Sequence, residues 1–283
     1  MRRPAWRKNA VNYLMIGVTG LCTFLTAGIL FFILGYLIYH GGASLSWSFF
    51  TQLPAPVGET GGGMANAIVG SGKVLLLATL IGIPIGFLGG VYLSEYGGKA
   101  FAFVVRYVTD LLNGVPSIAI GLVAYGLVVH RMGHFSTFAG GIALGIMMIP
   151  ISLRTTEEFL LAVPQSLREA ALALGATKWR TILSVVIPAA MRGIISGTML
   201  GLARVAGETA PLLFTALGNQ FWSPGWNQPT ATLPAMIFTY AIAPYDDWHR
   251  QAWAAGFVLL TLVLLINITA RLALSRGAYV PKG

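Results

Sequence analysis

Long uncharged runs, each about as long as a bilayer is thick, alternate along this chain with short segments that hold the charges. Leu14–Tyr39, Val74–Ser94, Leu111–Val129, Phe135–Leu153 and Ala252–Ala270 contain no Asp, Glu, Lys or Arg, and Gly193–Leu217 contains two charges, Arg204 and Glu208. Roughly 20 apolar residues cross the hydrocarbon core as a helix, so the pattern predicts an all-α integral membrane protein with about six transmembrane helices. The first run is uncharged from Val11 to Tyr39 and lacks a small-residue cleavage site. It is too long for a signal peptide and is predicted to be a retained span. Pro84 between Gly82 and Gly86, the pair Gly89-Gly90, and Pro116 interrupt the spans. Gly and Pro are common in membrane helices, and small residues let helices approach closely. The 35 glycines therefore predict a tightly packed bundle.

Composition sharpens this picture. Of 283 residues, 56% are hydrophobic and only 10% are charged, against roughly 25% charged in soluble domains. Lipid must cover the surface that polar side chains cannot. The net charge of +9 is spread through the gaps between apolar runs. It does not form the single basic stripe of a nucleic-acid binder, so no nucleic-acid partner is expected. With the N-terminus inside, Arg2, Arg3, Arg7, Lys8, Lys99, Arg106, Arg154, Arg168, Lys178, Arg180, Arg192, Arg271, Arg276 and Lys282 fall on the inner side, and only Lys73, Arg131 and Arg250 fall outside. That asymmetry obeys the positive-inside rule and places both termini in the cytoplasm. The division that follows is a cytoplasmic tail, 1–13, and a transmembrane domain, 14–283, carrying a cytoplasmic loop at 154–192. Outside lie a Gly- and Pro-rich segment, His40–Lys73, the short Arg131–His134, and Gly218–Gln251 with Trp222, Trp226 and Trp248. Within the last, Thr230–Ala243 is apolar but too short to span, and is expected to lie on or dip into the outer face.

Few residues carry candidate chemistry. Gly70-Ser71-Gly72-Lys73 imitates the end of a phosphate-binding loop, but that motif needs a glycine where Ala67 stands and Ser or Thr where Val74 stands. Any use of ATP must come from another protein. Cys22, the one cysteine, is expected to be a buried bystander. It excludes a disulfide framework. His40, His130, His134 and His249 match no metal-ligand spacing, so neither a metal nor another cofactor is expected. No catalytic constellation is present, and an enzyme is not expected. In the inner loop, Val163, Leu167, Ala170, Ala171 and Leu174 recur at helical spacing after Pro164. Gly175 ends that helix and Thr177 can cap a second. Physics alone leaves two readings: an amphipathic helix on lipid headgroups, or a compact projection toward a cytoplasmic partner.

The same loop resembles the EAA motif of ABC-importer permeases. Glu169-Ala170-Ala171, three residues, Gly175, nine residues and Val185-Val186-Ile187-Pro188 follow its Glu-Ala-Ala-x3-Gly-x9-Ile-x-Leu-Pro pattern, with Val185 and Ile187 as mild departures. The resemblance implies the ABC type I importer permease fold and a coupling helix that docks on an ATPase, with Glu169 facing it, Ala170 and Ala171 permitting close approach and Gly175 making the turn. A second stretch, Ala203-Arg204-Val205-Ala206-Gly207-Glu208-Thr209-Ala210-Pro211-Leu212-Leu213-Phe214-Thr215-Ala216, is similar to the PstA-type permeases of phosphate importers, as are Gly61–Ser71, Gly82–Tyr96 and Gly114–Tyr125. What this implies is a multi-pass protein of the bacterial inner membrane forming half of a phosphate pathway. Its implied partners are a second permease (PstC type), an ATPase dimer (PstB type) that binds the ATP, and an extracytoplasmic phosphate-binding protein (PstS type).

Arg204 lies 12 residues past Arg192, about 18 Å along a helix and deep in the membrane. Glu208 would share its face at four residues' spacing. A buried charge there costs roughly 2.5–3.5 kcal/mol on insertion scales. It therefore marks either a structural ion pair or a pathway site, and the planar fork of arginine suits phosphate oxygens. Arg154, with Glu157 and Glu158, reads as a solvated cluster or as an inner exit contact for the anion. Asp110 and Asn113 read as caps or polar contacts, and Asp246 and Asp247 as a solvated turn or a docking point. The rival functions are a permease for sulfate or molybdate and, on weaker grounds, a secondary anion transporter, for which inverted repeats are not visible.

Overall fold

A computed structural model describes residues 5–276 of the chain. Arg2, Arg3 and Lys282, counted above among the inner charges, lie outside the described residues. The elements in order are α1 (Ala5–Ala43), α2 (Trp47–Thr51), α3 (Ala65–Glu95), α4 (Lys99–Gly114), α5 (Ser117–Met132), α6 (Thr137–Leu161), α7 (Gln165–Ala173), α8 (Lys178–Ala206), α9 (Ala210–Thr215), α10 (Leu233–Ala241) and α11 (Asp246–Arg276). Among the described residues, α1, α3, α6, α8 and α11 are long and apolar enough to span, and α4 with α5, a pair bent by 102°, makes a sixth if the two are counted as one span.

Two of the expected spans are built differently from the apolar runs. The third breaks at Val115 and Pro116, where α4 and α5 meet at 102°. Pro116 has no N–H to donate and its ring disfavours helical geometry for the residue before it, and α4 ends at Gly114, whereas Pro84 and Pro150 lie within continuous helices. The fifth is not Gly193–Leu217: α8 starts at Lys178, stops at Ala206, and the short α9 follows after Gly207–Thr209. Pro211 near the start of α9 restarts the helix, as proline in a first turn does. Lower down, Pro188 also lacks an N–H, and the turn before it widens into a π-helical stretch, Ile182–Val186.

The glycines build the middle of the bundle. Gly82, Gly86 and Gly90 on one face of α3 lie against Met148, Ser152 and Thr156 of α6. A Cβ on Gly86 would sit 2.5 Å from the Ser152 Cβ, and one on Gly90 2.6 Å from the Thr156 Cβ. Gly193, Gly197 and Gly201 of α8 meet Phe159, Thr155 and Ile151 on another side of α6. Four-residue spacing keeps each ladder on one helix face, and the missing side chains bring the backbones together. α6 is thus the hub, with Val74, Leu144, Met148, Val205 and Leu212 packed at its middle.

At the outer end, Phe49, Met64, Leu233, Tyr240 and Trp248 form a second core. The apolar segment expected to dip into the outer face is α10, buried in this core, with its Leu233 N–H donating to Ser71 Oγ at 2.7 Å. Lys73, the decoy lysine, donates to the carbonyls of Ser223 (2.6 Å) and Pro224 (3.2 Å) and lies over the Trp226 ring. It ties down an outer loop. Asp247 accepts from the Gly61 N–H and pairs with Arg250 at 2.7 Å, so it is a loop anchor, while Asp246 stays exposed. α1 packs on α11 near its outer end, through Tyr36, Leu37, His40 and Gly41. Cys22 is exposed on α1, contrary to the buried position expected: an apolar run signals a lipid-facing surface as readily as a core.

Candidate functional site: a broken span and a cytoplasmic projection

Three places hold the candidate residues. The first is the break after α8. Gly201 lies against Ile151, ten residues before the inner end of α6 at Leu161, or about 15 Å above it. Arg204, one turn further on in the last turn of α8, is therefore near mid-depth. It is exposed on the surface of the chain and has neither an ion pair nor a side-chain hydrogen bond among the described residues. Glu208 does not complete a helical pair with it. The helix ends at Ala206, with Gly207 as its cap, so the four-residue spacing no longer places Glu208 on the same face. The break in α8 is matched by that in the third span: Gly121 of α5 fits against Pro211 of α9. Ile120, Val205, Ala206 and Leu212 share one core around both interruptions. Irregular backbone at membrane depth is tolerated where protein or an aqueous cavity surrounds it.

The second place lies deeper toward the cytoplasm. The structure extends α6 to Leu161, eight residues beyond the uncharged run, so Arg154, Glu157 and Glu158 are helical. Glu157 is fully buried and accepts from Arg106 Nε at 2.6 Å and from Arg154 Nη1 at 3.3 Å. Arg154 Nε also faces Glu158 at 3.1 Å and Asp110 at 3.7 Å. Burying a carboxylate is tolerable only when it is paired and hydrogen-bonded, and here two arginines from two helices do this. The cluster is neither a solvated loop nor a bare cation: it closes α4 onto α6 and surrounds Arg154 with three carboxylates. The sequence places Arg106 among the inner charges but not in this cluster, and its four-residue spacing to Asp110 points to a different partner from Glu157, which the structure gives it. Glu157→Gln should lower stability in detergent by about 2 kcal/mol, since charge-assisted bonds of half-exposed arginines are exchanged for neutral ones. An unchanged unfolding midpoint would contradict this.

The third place is the cytoplasmic projection. α7 runs from Gln165 to Ala173, Gly175 turns the chain at φ +82°, and Thr177 caps α8 by accepting from the Arg180 N–H. Glu169, Ala170 and Gly175 are exposed and Ala171 is half-buried. Leu174 (90% exposed) and Trp179 (63%) add large apolar surface beside them. Such an apolar face marks an interaction surface, and both the lipid-facing and the partner-facing readings of this loop use one.

A polytopic bundle with an intramembrane break, an unpaired arginine at that break and an apolar projection on the charged side has the build of a membrane transport permease. The chain belongs to the family of binding-protein-dependent transport system inner membrane components, whose sequence model matches residues 82–276, and within it to the PstA permeases. It is 46% identical over 279 residues to the phosphate transport system permease protein PstA of Yersinia pestis, covering 97% of this chain and 93% of that one. To the protein of the same name in Haemophilus influenzae it is 46% identical, covering 94% of each chain. A probable PstA of Methanocaldococcus jannaschii is 37% identical over 75% of this chain and 76% of its own. Solved structures share the fold. The MetNI methionine ABC transporter in an inward-facing conformation matches with a TM-score of 0.58 at 19% identity, over 75% of this chain and 92% of that one. A bacterial ABC transporter involved in the import of the acidic polysaccharide alginate matches at 0.63 and 14%, over 97% and 99%. The ABC importer permease fold and a multi-pass inner-membrane location follow.

Proposed function

We propose that this chain forms half of the translocation pathway of an ATP-driven phosphate importer. The observation that carries this reading is Arg204: an unpaired guanidinium near mid-depth on a face that the chain leaves uncovered. Lipid cannot cover that face cheaply. A second, similar permease (PstC type) covers it, and the two enclose a polar path. The names of the relatives supply phosphate as the anion, and the five donors of arginine match its oxygens. Glu208, beside the break, limits how tightly the site holds an anion. At the inner mouth, Arg154 is the last cation on the path, and the carboxylates around it favour release over retention.

The chain itself performs no chemistry and needs no cofactor of its own. An ATPase dimer (PstB type) binds ATP and docks on Glu169, Ala170, Ala171 and Gly175. An extracytoplasmic phosphate-binding protein (PstS type) delivers the anion when the outer side opens. The test is phosphate uptake by liposomes holding the chain with its co-encoded partners. Uptake should require ATP and resist excess sulfate and molybdate. Inhibition by either competitor would move the substrate to another oxyanion, and no uptake by an assembled complex that hydrolyses ATP would overturn the phosphate assignment.

A further inference from the structure

The cytoplasmic projection must be held by something, and apolar packing does not hold its first helix: no residue of α7 is buried. What does reach inward is Arg168. Its guanidinium pairs with Glu95 at the inner end of α3 and donates from Nη2 to the Leu160 carbonyl, at 2.7 Å, in the last turn of α6. The Glu95 side chain is only 6% exposed and that of Arg168 15%. Ser94 Oγ adds a hydrogen bond to the same Glu95 oxygen at 3.2 Å. Lys178, at the start of α8, donates to the Glu95 backbone carbonyl and lies 4.4 Å from the centre of the Tyr96 ring. A cavity of about 540 Å³ beside this junction is lined by Ser94, Pro164, Leu172 and Thr181, so little else braces α7 from behind.

We infer that Glu95 is a positioning residue that, through Arg168, transmits movement of α7 to α3. The inference rests on the reading of α7 as the ATPase-docking helix. Its physical basis is that a withdrawn ion pair is costly to break from one side only, since a lone buried charge remains. The pair therefore stays closed while α7 moves. α3 is one continuous helix of 31 residues, and its other end holds the α10 N–H of Leu233 through Ser71. α3 carries Pro84 in its interior yet stays one helix, so a displacement at Glu95 is delivered along it, past the glycine contacts with α6, to the outer core.

The test uses the complete complex with its ATPase and binding protein, in liposomes, and reads phosphate imported per ATP hydrolysed. Glu95→Ala should assemble and hydrolyse ATP, but its ratio should fall about tenfold, within the usual range of coupling free energies. The double variant Glu95→Ala, Arg168→Ala removes the lone charge as well. It should regain thermal stability while staying as uncoupled as the single variant. A purely structural pair would give the opposite result: coupling would recover together with stability, and that outcome overturns the inference. So does a normal ratio in Glu95→Ala, or failure of both variants to assemble, which would assign Glu95 to folding alone. Gly175→Leu is assayed in parallel. If it uncouples while Glu95→Ala does not, the transmission role alone is wrong. If neither changes the ratio, the docking assignment of the projection is wrong and the inference falls with it.

Discussion

Arg204→Gln is expected to reduce phosphate uptake about a hundredfold or more, because two charge-assisted hydrogen bonds to the anion, worth on the order of 1.5–3 kcal/mol each, are lost with the guanidinium. The complex should still assemble. Arg204 has no hydrogen-bond or ion-pair partner within the chain among the described residues and lies in the last turn of a helix whose packing face is made by Gly193, Gly197 and Gly201, so the substitution removes no internal polar contact. Glutamine retains helical character and polarity but is shorter and carries neither the charge nor the guanidinium fork. Arg204→Lys restores the charge as a point and should recover part of the rate. Uptake by the glutamine variant at the normal rate would remove Arg204 from the pathway, and loss of assembly would show it to be a contact with the second permease. Uptake and pull-down of the ATPase, measured on one preparation, separate these results.

Gly175→Leu is expected to separate ATP hydrolysis from transport or to release the ATPase altogether. Gly175 stands at φ +82° with open space around it, so a Cβ there meets nothing in this chain. The backbone strain of an L-residue in that region is roughly 1–2 kcal/mol, too little to unfold a bundle anchored by the ladders on α6. A large effect must therefore come from bulk presented to a partner. The series Ala, Leu, Trp at this position tests that argument directly. Alanine carries the strain with little bulk and should retain most of the coupling; tryptophan should abolish it. Equal effects across the series would place the cause in the turn itself, and unchanged coupling throughout would reject the projection as the docking site.

Both experiments depend on features that differ in how openly the sequence displays them. The projection was visible because its two short helices are local: Pro164, the apolar repeat, Gly175 and Thr177 act within a few residues of each other, and capping and turn formation need no distant partner. The mid-depth position of Arg204 was also visible, because helix rise converts residue number into depth. Its relation to Glu208 was not, because the four-residue rule holds only while the helix continues. Gly207 and Pro211 sit within an apolar run whose hydropathy stays high across the break. Hydropathy marks what enters the membrane, not where the backbone turns within it. In the third span the sequence marks Pro116 as an interruption, but the size of the bend there, 102°, is invisible in an uncharged stretch.

The ion pairs lay further out of reach. Glu95 and Arg168 are 73 residues apart, and Arg106 and Glu157 are 51 apart. Nothing in the local pattern chooses those partners from the other charges near the inner surface.

Sequence alone determined the class of solvent, the number and orientation of the spans, the cytoplasmic projection and the family, since these rest on composition, period and contiguous motifs. Tertiary structure decided which glycine faces meet across α6, where two spans break, that Glu157 is enclosed by two arginines, and that α7 hangs on Glu95. The physical reason is range. Transfer from water to lipid and the closing of a turn act on each segment separately, whereas steric fit and the pairing of buried charges exist only once distant segments have been brought together.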